Sequence, residues 1–174
     1  MSFDVLNQPK FIPELVQIKS DIEHEIGLSC ELIPASISVP ISSLSILFQH
    51  DEQPVARTAN IMFLPIESPD LETIKLLQLH AQLPVSIEES MLEAVRTFLL
   101  MANSIVPIGA FSLNLEGQIA YKYVYSIGIL APIVTEEFIE IFLLWMYTLN
   151  FISRILLGLT QGEISLDTAC MNLG

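Results

Sequence analysis

The sequence predicts a single α+β domain with a mainly antiparallel sheet. Two observations lead to this: strand-like segments come in runs joined by short turns, and helical segments with apolar stripes bracket those runs. The predicted order is α-β-β-β-α-β-β-α. At 174 residues the chain suits one domain, 1–174, with a core at about 13–159 and a terminal appendage at 160–174.

Two predicted helices bracket the first run of strands. The first spans Ile12–Ile26 and is closed by Gly27. The second spans Ser86–Ala102, where Ser86 and Glu89 form a capping-box pattern. Apolar residues recur at spacings of three and four in both segments, so each helix should turn one face to the core.

The segments between these helices are predicted to be strands joined by polar turns. One of them, Leu71–Val85, fits a helix as well as a strand, but the bounding turn, the nearby strands and Pro84 favour a strand. The strand candidates are Leu28–Ile33, Ser42–Gln49, Val55–Ile66 and Leu71–Val85, and the turns are His50–Pro54 and Glu67–Asp70. A hairpin with a turn at Asn114–Gly117 follows the second helix.

The longest predicted helix, Thr135–Leu159, is the segment around which the chain is organised. Thr135 is predicted to cap its start and Gly158 to stop it. One face carries Phe138, Phe142, Trp145, Leu149, Ile152 and Leu156, and the other side carries Ile139, Ile141, Leu143, Met146, Tyr147 and Phe151. A helix that is apolar nearly all round is buried on more than one side, so we expect a second subunit to cover part of it. A short terminal helix capped by Ser165 is predicted after Gly162.

Composition limits the classes of partner. The charged fraction is 16%, and the mean hydropathy of +0.57 indicates more apolar surface than one small core buries, which favours a partner, a subunit or a membrane. The net charge is −13, with only seven Lys and Arg. These cations cannot build the basic face that phosphate binding needs, so nucleic acid is excluded as a partner. The acidity supplies solubility or complements a basic partner.

The membrane alternative depends on the 138–159 helix. It is long enough to span, but Glu140 and Arg154 leave an uncharged run of about 13 residues, or about 20 Å, against a hydrocarbon core of about 30 Å. Membrane insertion is therefore the disfavoured alternative. Cys30 and Cys170 match no ligand spacing, and the N-terminus lacks the features of a signal peptide, so we expect a reduced, cytoplasmic protein.

The passage from the second helix into the hairpin resembles the YbjN-like family. The residues that carry the resemblance are Asn103, Pro107–Ser112, Glu116–Ile119 and Tyr121–Tyr123. The resemblance covers about Pro13 to Leu159, while the Leu28–Ile41 insert and the tail after Gly162 depart from the simplest pattern. It implies the α-β-β-β-α-β-β-α fold of type III secretion chaperones, called here the chaperone-like fold. It also implies a small acidic bacterial protein, usually dimeric, that binds a polypeptide segment. It transfers no functional residue to this chain.

Catalytic and metal-binding motifs are missing from the sequence. His24, His50 and His80 have no second ligand at a recognised metal spacing, and there is no nucleophile elbow, phosphate-binding loop or dinucleotide fingerprint. We therefore predict no catalytic residue, no metal and no cofactor, and a protein that is not an enzyme. A small enzyme whose site is assembled only in space stays the alternative.

Aromatic residues of the hairpin and the long helix are the candidate interaction surface. The candidates are Tyr121, Tyr123, Tyr125, Phe142, Trp145, Met146 and Tyr147. The tyrosines could instead pack only within the sheet, and Trp145 and Tyr147 could instead lie in the core. The predicted function is a non-enzymatic protein- or peptide-binding module, a chaperone-like homodimer. Its apolar pockets, and a sheet edge that accepts an extended peptide, would hold the partner.

Overall fold

The computed structural model describes residues 11–36, 40–48, 57–65 and 72–174, and within them the chain is a mixed α+β fold. The helices are α1 (Ile12–Glu25), α2 (Leu92–Ile105), α3 (Thr135–Thr160) and α4 (Leu166–Met171). The strands are β1 (Cys30–Ile33), β2 (Ser43–Phe48), β3 (Arg57–Leu64), β4 (Ile74–Leu83), β5 (Ala110–Leu113) and β6 (Ile119–Gly128). The predicted turns His50–Pro54 and Glu67–Asp70 lie outside the described residues.

The strands form one antiparallel sheet in the order β1-β2-β3-β4-β6-β5. Cys30 pairs with Ile46 at one end of this order, and Phe111 pairs with Tyr121 at the other. The predicted α+β class and element order are confirmed, and β1 lies within the predicted strand candidate Leu28–Ile33, at one edge of the sheet. The ambiguous segment is strand β4, because alternate residues from Lys75 to Leu83 are buried as a half-covered strand requires.

Packing divides the described residues into two units that interleave along the chain. Unit 1 contains the described parts of Met1–Phe48, Thr58–His80 and Val124–Ile141; unit 2 contains those of Gln49–Arg57, Ala81–Tyr123 and Phe142–Gly174. Strands β3, β4 and β6 and helix α3 each contribute to both units. The units are therefore not successive segments of the chain.

Unit 1 buries the apolar face of α1. Leu15, Ile18 and Ile22 are almost completely buried, as their spacing predicts, and α1 packs against β1 and β2. Lys75 reaches from β4 to this helix, where its Nζ donates to Glu14 Oε1 at 3.2 Å and to the carbonyl oxygen of Ala131 at 2.8 Å. This buried ammonium is neutralised by an acid of α1, as buried charges require.

Unit 2 buries α2, the second part of α3 and the terminal helix. Helix α4 packs against α2 and buries Ala169, so the predicted terminal appendage belongs to this unit. Ser165 caps α4 as predicted, because its Oγ accepts a hydrogen bond from the backbone N–H of Thr168 at 3.2 Å.

The predicted start of α2 is wrong. The segment from Pro84 to Glu88 is not helical, a 3₁₀ turn spans Glu89–Met91, and α2 begins at Leu92. Glu88 has extended backbone with ψ of 146°, whereas a capping box needs helical residues between its serine and its glutamate. Ser86 and Glu89 therefore do not cap this helix.

Helix α3 begins at the predicted Thr135 and ends one residue after the predicted Leu159, but its predicted cap and stop residues are wrong. Thr135 is the first helical residue, and its hydroxyl donates to Asp21 Oδ2 at 3.0 Å across unit 1. Gly158 lies inside the helix, where a Cβ would approach the side chain of Ile164 at 3.4 Å. The helix stops at Thr160 because Gly162, at φ +72°, adopts the left-handed conformation that ends helices.

Candidate functional site

Helix α3 has a buried face and a solvent-exposed apolar face. The six residues of its predicted core face, from Phe138 to Leu156, are all buried. On the other side Leu143, Leu144 and Tyr147 are 47%, 39% and 69% exposed, and the ring of Tyr147 stacks on that of Phe151. The prediction that α3 is apolar on both sides therefore corresponds to an apolar surface left open in the single chain.

Three of the predicted interaction residues lie in the core of unit 2. Tyr121, Phe142 and Trp145 are fully buried, and their rings stack, with centroids 5.5 Å apart for Tyr121–Trp145 and 6.1 Å for Phe142–Trp145. Phe111 stacks on the other side of Tyr121 at 4.2 Å. As interaction residues these three are corrected: their place is the aromatic core, and they are not accessible to a partner.

The other four predicted residues retain some exposure. Tyr147 is well exposed, whereas Tyr123, Tyr125 and Met146 are half-buried. Tyr123 and Tyr125 alternate along β6 with Lys122 and Val124, so they share the side of the strand on which Tyr121 is buried. The Tyr125 hydroxyl donates to Glu137 Oε2 at 3.3 Å, which ties the row to the first turn of α3.

Sequence reasoning missed Leu144, which is exposed on the same side of α3 as Tyr147. In a continuous apolar run, residue type does not distinguish exposed from buried positions. Leu144 is separated from its buried neighbours only once the direction of the core face is known. Counting in steps of three and four from Tyr147 would have found it.

The outer edges of the sheet are partly closed by helix side chains. On β1, the Cys30 N–H donates to Glu23 Oε1 at 3.1 Å, and its carbonyl oxygen accepts from Lys19 Nζ. On β5, Asn103 bonds both backbone groups of Phe111: its Oδ1 accepts from the N–H at 2.7 Å and its Nδ2 donates to the carbonyl at 2.9 Å. Both strands are only four residues long. Short, side-chain-capped edges disfavour the predicted addition of a peptide strand.

Unit 1 has a sheet face turned away from α1. On this face Leu47 of β2 is 66% exposed and Val124 of β6 is 37% exposed. Half-buried residues of β3 and β4 lie beside them, and the Gln78 side chain donates to Met62 Sδ at 3.9 Å within the same face. We call this surface the open sheet face; its apolar members are Leu47, Met62, Leu64, Ile74, Leu76 and Val124.

The open sheet face carries very little negative charge. The described strands β2, β3, β4 and β6 contain no Asp or Glu, although the chain has 20. Glu31 of β1, opposite Ser45, and Glu72, just before β4, are the described acids at its margins. The face has one described cation at its β6 end, because Lys122 lies two residues before Val124 on the same side of that strand. An apolar face without acids but with acidic margins fits a partner with apolar residues between basic ones.

The titratable groups do not form a recognisable catalytic constellation. Burial raises the pKa of the Cys30 thiol to about 11, helped by the charge of Glu23, so this cysteine is a protonated thiol at neutral pH and a poor nucleophile. Burial raises the pKa of Tyr121 to about 12, and its hydroxyl donates to the carbonyl oxygen of Ile108 at 2.5 Å. His24 is exposed beside Glu25, and His50 lies outside the described residues. Within the described ranges no three His, Cys, Asp or Glu are grouped as a metal site.

Arg57 is a buried cation bonded to a neutral side chain. It is 7% exposed, and its Nη1 donates to Asn150 Oδ1 at 2.9 Å within unit 2. Burial lowers the pKa of its guanidinium, since the charged form loses hydration. With Lys75, which is 3% exposed, two of the seven cations are withdrawn from the surface. One acid, Asp21, is buried among the described residues as well, so burial removes two cations and one acid from the described surface.

By length and composition, α3 is the one helix of the described chain that could cross a membrane. The core helix of a soluble protein has the same length and composition. Phe142, Trp145 and Leu149 of α3 are fully buried against the protein itself.

No protein-family model matches the sequence, and no curated protein matches it.

Proposed function

We propose that the chain is a non-enzymatic protein-binding module that holds a polypeptide segment on the open sheet face. The observation that carries the proposal is the exposure of Leu47 and Val124 on strands without a single acid, in a chain of net charge −13. Burying apolar side chains against this face is favourable by about 25 cal/mol per Å².

The partner proposed here is a segment with apolar residues in its centre and Lys or Arg at its ends. Apolar residues would cover Leu47, Val124 and their half-buried neighbours, and the basic ends would reach the margins at Glu31 and Glu72. Opposite charges at an interface raise association rates and select against acidic partners. Nucleic acid is disfavoured by the same charges, because two of seven cations are buried.

We further propose that the chain has the chaperone-like fold of the YbjN-like family, which it resembles. The protein would be a cytoplasmic homodimer that binds a segment of another protein and does not transform it. The protonated Cys30 thiol and the capped edges support this reading over a cysteine enzyme and over strand addition.

Synthetic peptides test the binding. Two labelled 15-residue peptides would share an alternating Leu/Thr centre and differ only in having Lys or Asp at both ends. Fluorescence anisotropy should show the Lys-ended peptide binding at least about tenfold more tightly, since two or more charge pairs change sign.

Neutral substitutions locate the peptide. Leu47→Asn with Val124→Asn should weaken binding of the Lys-ended peptide several-fold, because both remove apolar contact and add no charge. Leu115→Asn, at a fully exposed turn residue, is the matched control and should bind like the wild type. Equal binding of both peptides, or no effect of the paired substitution, refutes the proposal. A change in molecular mass with the paired substitution would instead assign this face to a second copy.

A further inference from the structure

The solvent side of α3 carries a stripe of five residues at alternating spacings of four and three. It consists of Glu140, Leu144, Tyr147, Phe151 and Arg154. At 100° per residue this α3 stripe lies about 180° from the buried face that contains Phe142, Trp145 and Leu149. Glu140, Leu144, Tyr147 and Arg154 are exposed and Phe151 is half-buried.

Charge is placed symmetrically along the α3 stripe. Glu140 precedes Tyr147 by seven residues and Arg154 follows it by seven, so each charge lies about 10 Å along the helix from the tyrosine. Arg154 is the only charged residue of α3 after Glu140, so the segment between them is neutral. An acid and a base at equal distances on either side of an apolar centre make a self-complementary surface.

We propose that α3 pairs antiparallel with α3 of a second copy, about a two-fold axis that passes near Tyr147. In this arrangement Glu140 lies beside the partner's Arg154, and Arg154 beside the partner's Glu140. The axis generates each contact twice, as an isologous interface requires. Leu143, Leu144 and the stacked Tyr147 and Phe151 rings then lose their exposure to water at the centre.

Two acidic chains can meet here with little repulsion. The α3 stripe combines one acid with one base, whereas the chain as a whole has 20 acids and seven Lys and Arg. A parallel pair would instead place Glu140 beside Glu140 and Arg154 beside Arg154. The contact along one helix is small for a protein interface, so we expect a dissociation constant in the micromolar range. This inference rests on the homodimer in the proposed function and specifies its geometry.

Charge reversal tests the geometry by sedimentation velocity across 1–200 µM protein at low salt. Arg154→Glu and Glu140→Arg should each raise the dimer dissociation constant about tenfold or more, because both symmetric pairs become repulsive. The double variant Glu140→Arg/Arg154→Glu should restore dimerisation close to that of the wild type. Both positions are exposed, and circular dichroism checks that each variant folds.

Matched controls separate position from net charge. Arg96→Glu, at an exposed cation of α2, changes net charge as Arg154→Glu does and should leave the dimer unchanged. Glu116→Arg, in the exposed hairpin turn, changes net charge as Glu140→Arg does and should also leave the dimer unchanged.

A cysteine placed at the centre of the stripe tests the axis. In a Cys170→Ser background, Tyr147→Cys should form a disulfide-linked dimer under mild oxidation. Leu130→Cys, at another exposed position, should not.

Three outcomes overturn the inference. A wild type that is monomeric at 200 µM refutes the dimer, and charge reversals without effect or without rescue refute this pairing. Failure of Tyr147→Cys to cross-link refutes the position of the axis. A monomeric wild type would also remove the homodimer from the proposed function. Peptide binding to the open sheet face is measured independently by anisotropy, so failure of the dimer and failure of peptide binding are distinguishable.

Discussion

At the scale of single residues, Gly109 shows how one position fixes the aromatic core of unit 2. It has φ of +71°, and a Cβ there would lie 2.8 Å from the carbonyl oxygen of Lys122 and 3.0 Å from the ring of Tyr121. Glycine is required for two reasons, the left-handed backbone and the close approach of the hairpin. The Tyr121 ring is thereby held between Phe111 and Trp145.

Gly109→Ala should lower the free energy of unfolding by about 2–4 kcal/mol, since the methyl group meets a backbone oxygen that cannot move alone. Gly117→Ala is the matched control: its φ is +76°, but nothing lies within 4 Å of the added carbon, so it should cost only about 1 kcal/mol. Urea denaturation of both variants measures the difference. Equal losses of unfolding free energy in the two variants would mean that glycine is required at position 109 by its backbone conformation and not by the contact with Lys122 and Tyr121.

At the scale of elements, the side chain of Asn103 joins α2 to the free edge of β5. It hydrogen-bonds both the N–H and the carbonyl group of Phe111, and so replaces the backbone hydrogen bonds that a neighbouring strand would make. Asn103→Ala should lower the free energy of unfolding by about 1–3 kcal/mol, because two backbone groups lose their partner. Amide exchange at Phe111 should accelerate with it. Ser104→Ala, at the exposed neighbour, should change neither quantity much. Unchanged exchange at Phe111 in the Asn103 variant would contradict this role.

Whole helices were predicted from the sequence more accurately than the residues that cap them. Periodicity located α1 and α3 because burial acts on many residues at once, and errors at single positions average out. It left β4 ambiguous, and the bounding turn, the nearby strands and Pro84 decided that segment correctly. The capping box at Ser86 and Glu89 failed because a cap depends on the backbone of two or three residues, which here continue extended after β4. The predicted cap at Thr135 is wrong for a related reason: its hydroxyl donates to Asp21, 114 residues away in sequence.

The candidate surfaces were predictable only in part. The apolar second side of α3 follows from composition, and Tyr147 was identified by it. Tyr121, Phe142 and Trp145 were not separable from surface aromatics, because an aromatic residue has the same sequence signature in a core and at an interface. The open sheet face was invisible in the sequence, since it requires knowing which side of β2 and β3 meets α1.

At the scale of the whole molecule, charge and burial act against each other. Among the described residues, folding buries two cations, Lys75 and Arg57, and one acid, Asp21, so the exposed charge stays strongly negative. A chain of net charge −13 is therefore destabilised by its own repulsion in the compact state, and the repulsion falls as salt screens it.

Raising NaCl from 0.02 M to 0.15 M should increase Tm by about 2–4 °C, equivalent to about 1 kcal/mol for a chain of this size. The Debye length falls to about 8 Å over this range, while the general effect of salt on apolar burial stays small. Glu116→Lys, which reduces net charge at an exposed turn, should raise Tm at low salt and show a smaller increase with NaCl. Differential scanning calorimetry at fixed protein concentration measures both slopes. A Tm that falls with salt would show that attractive pairs such as Lys75–Glu14 outweigh the repulsion among the surface acids.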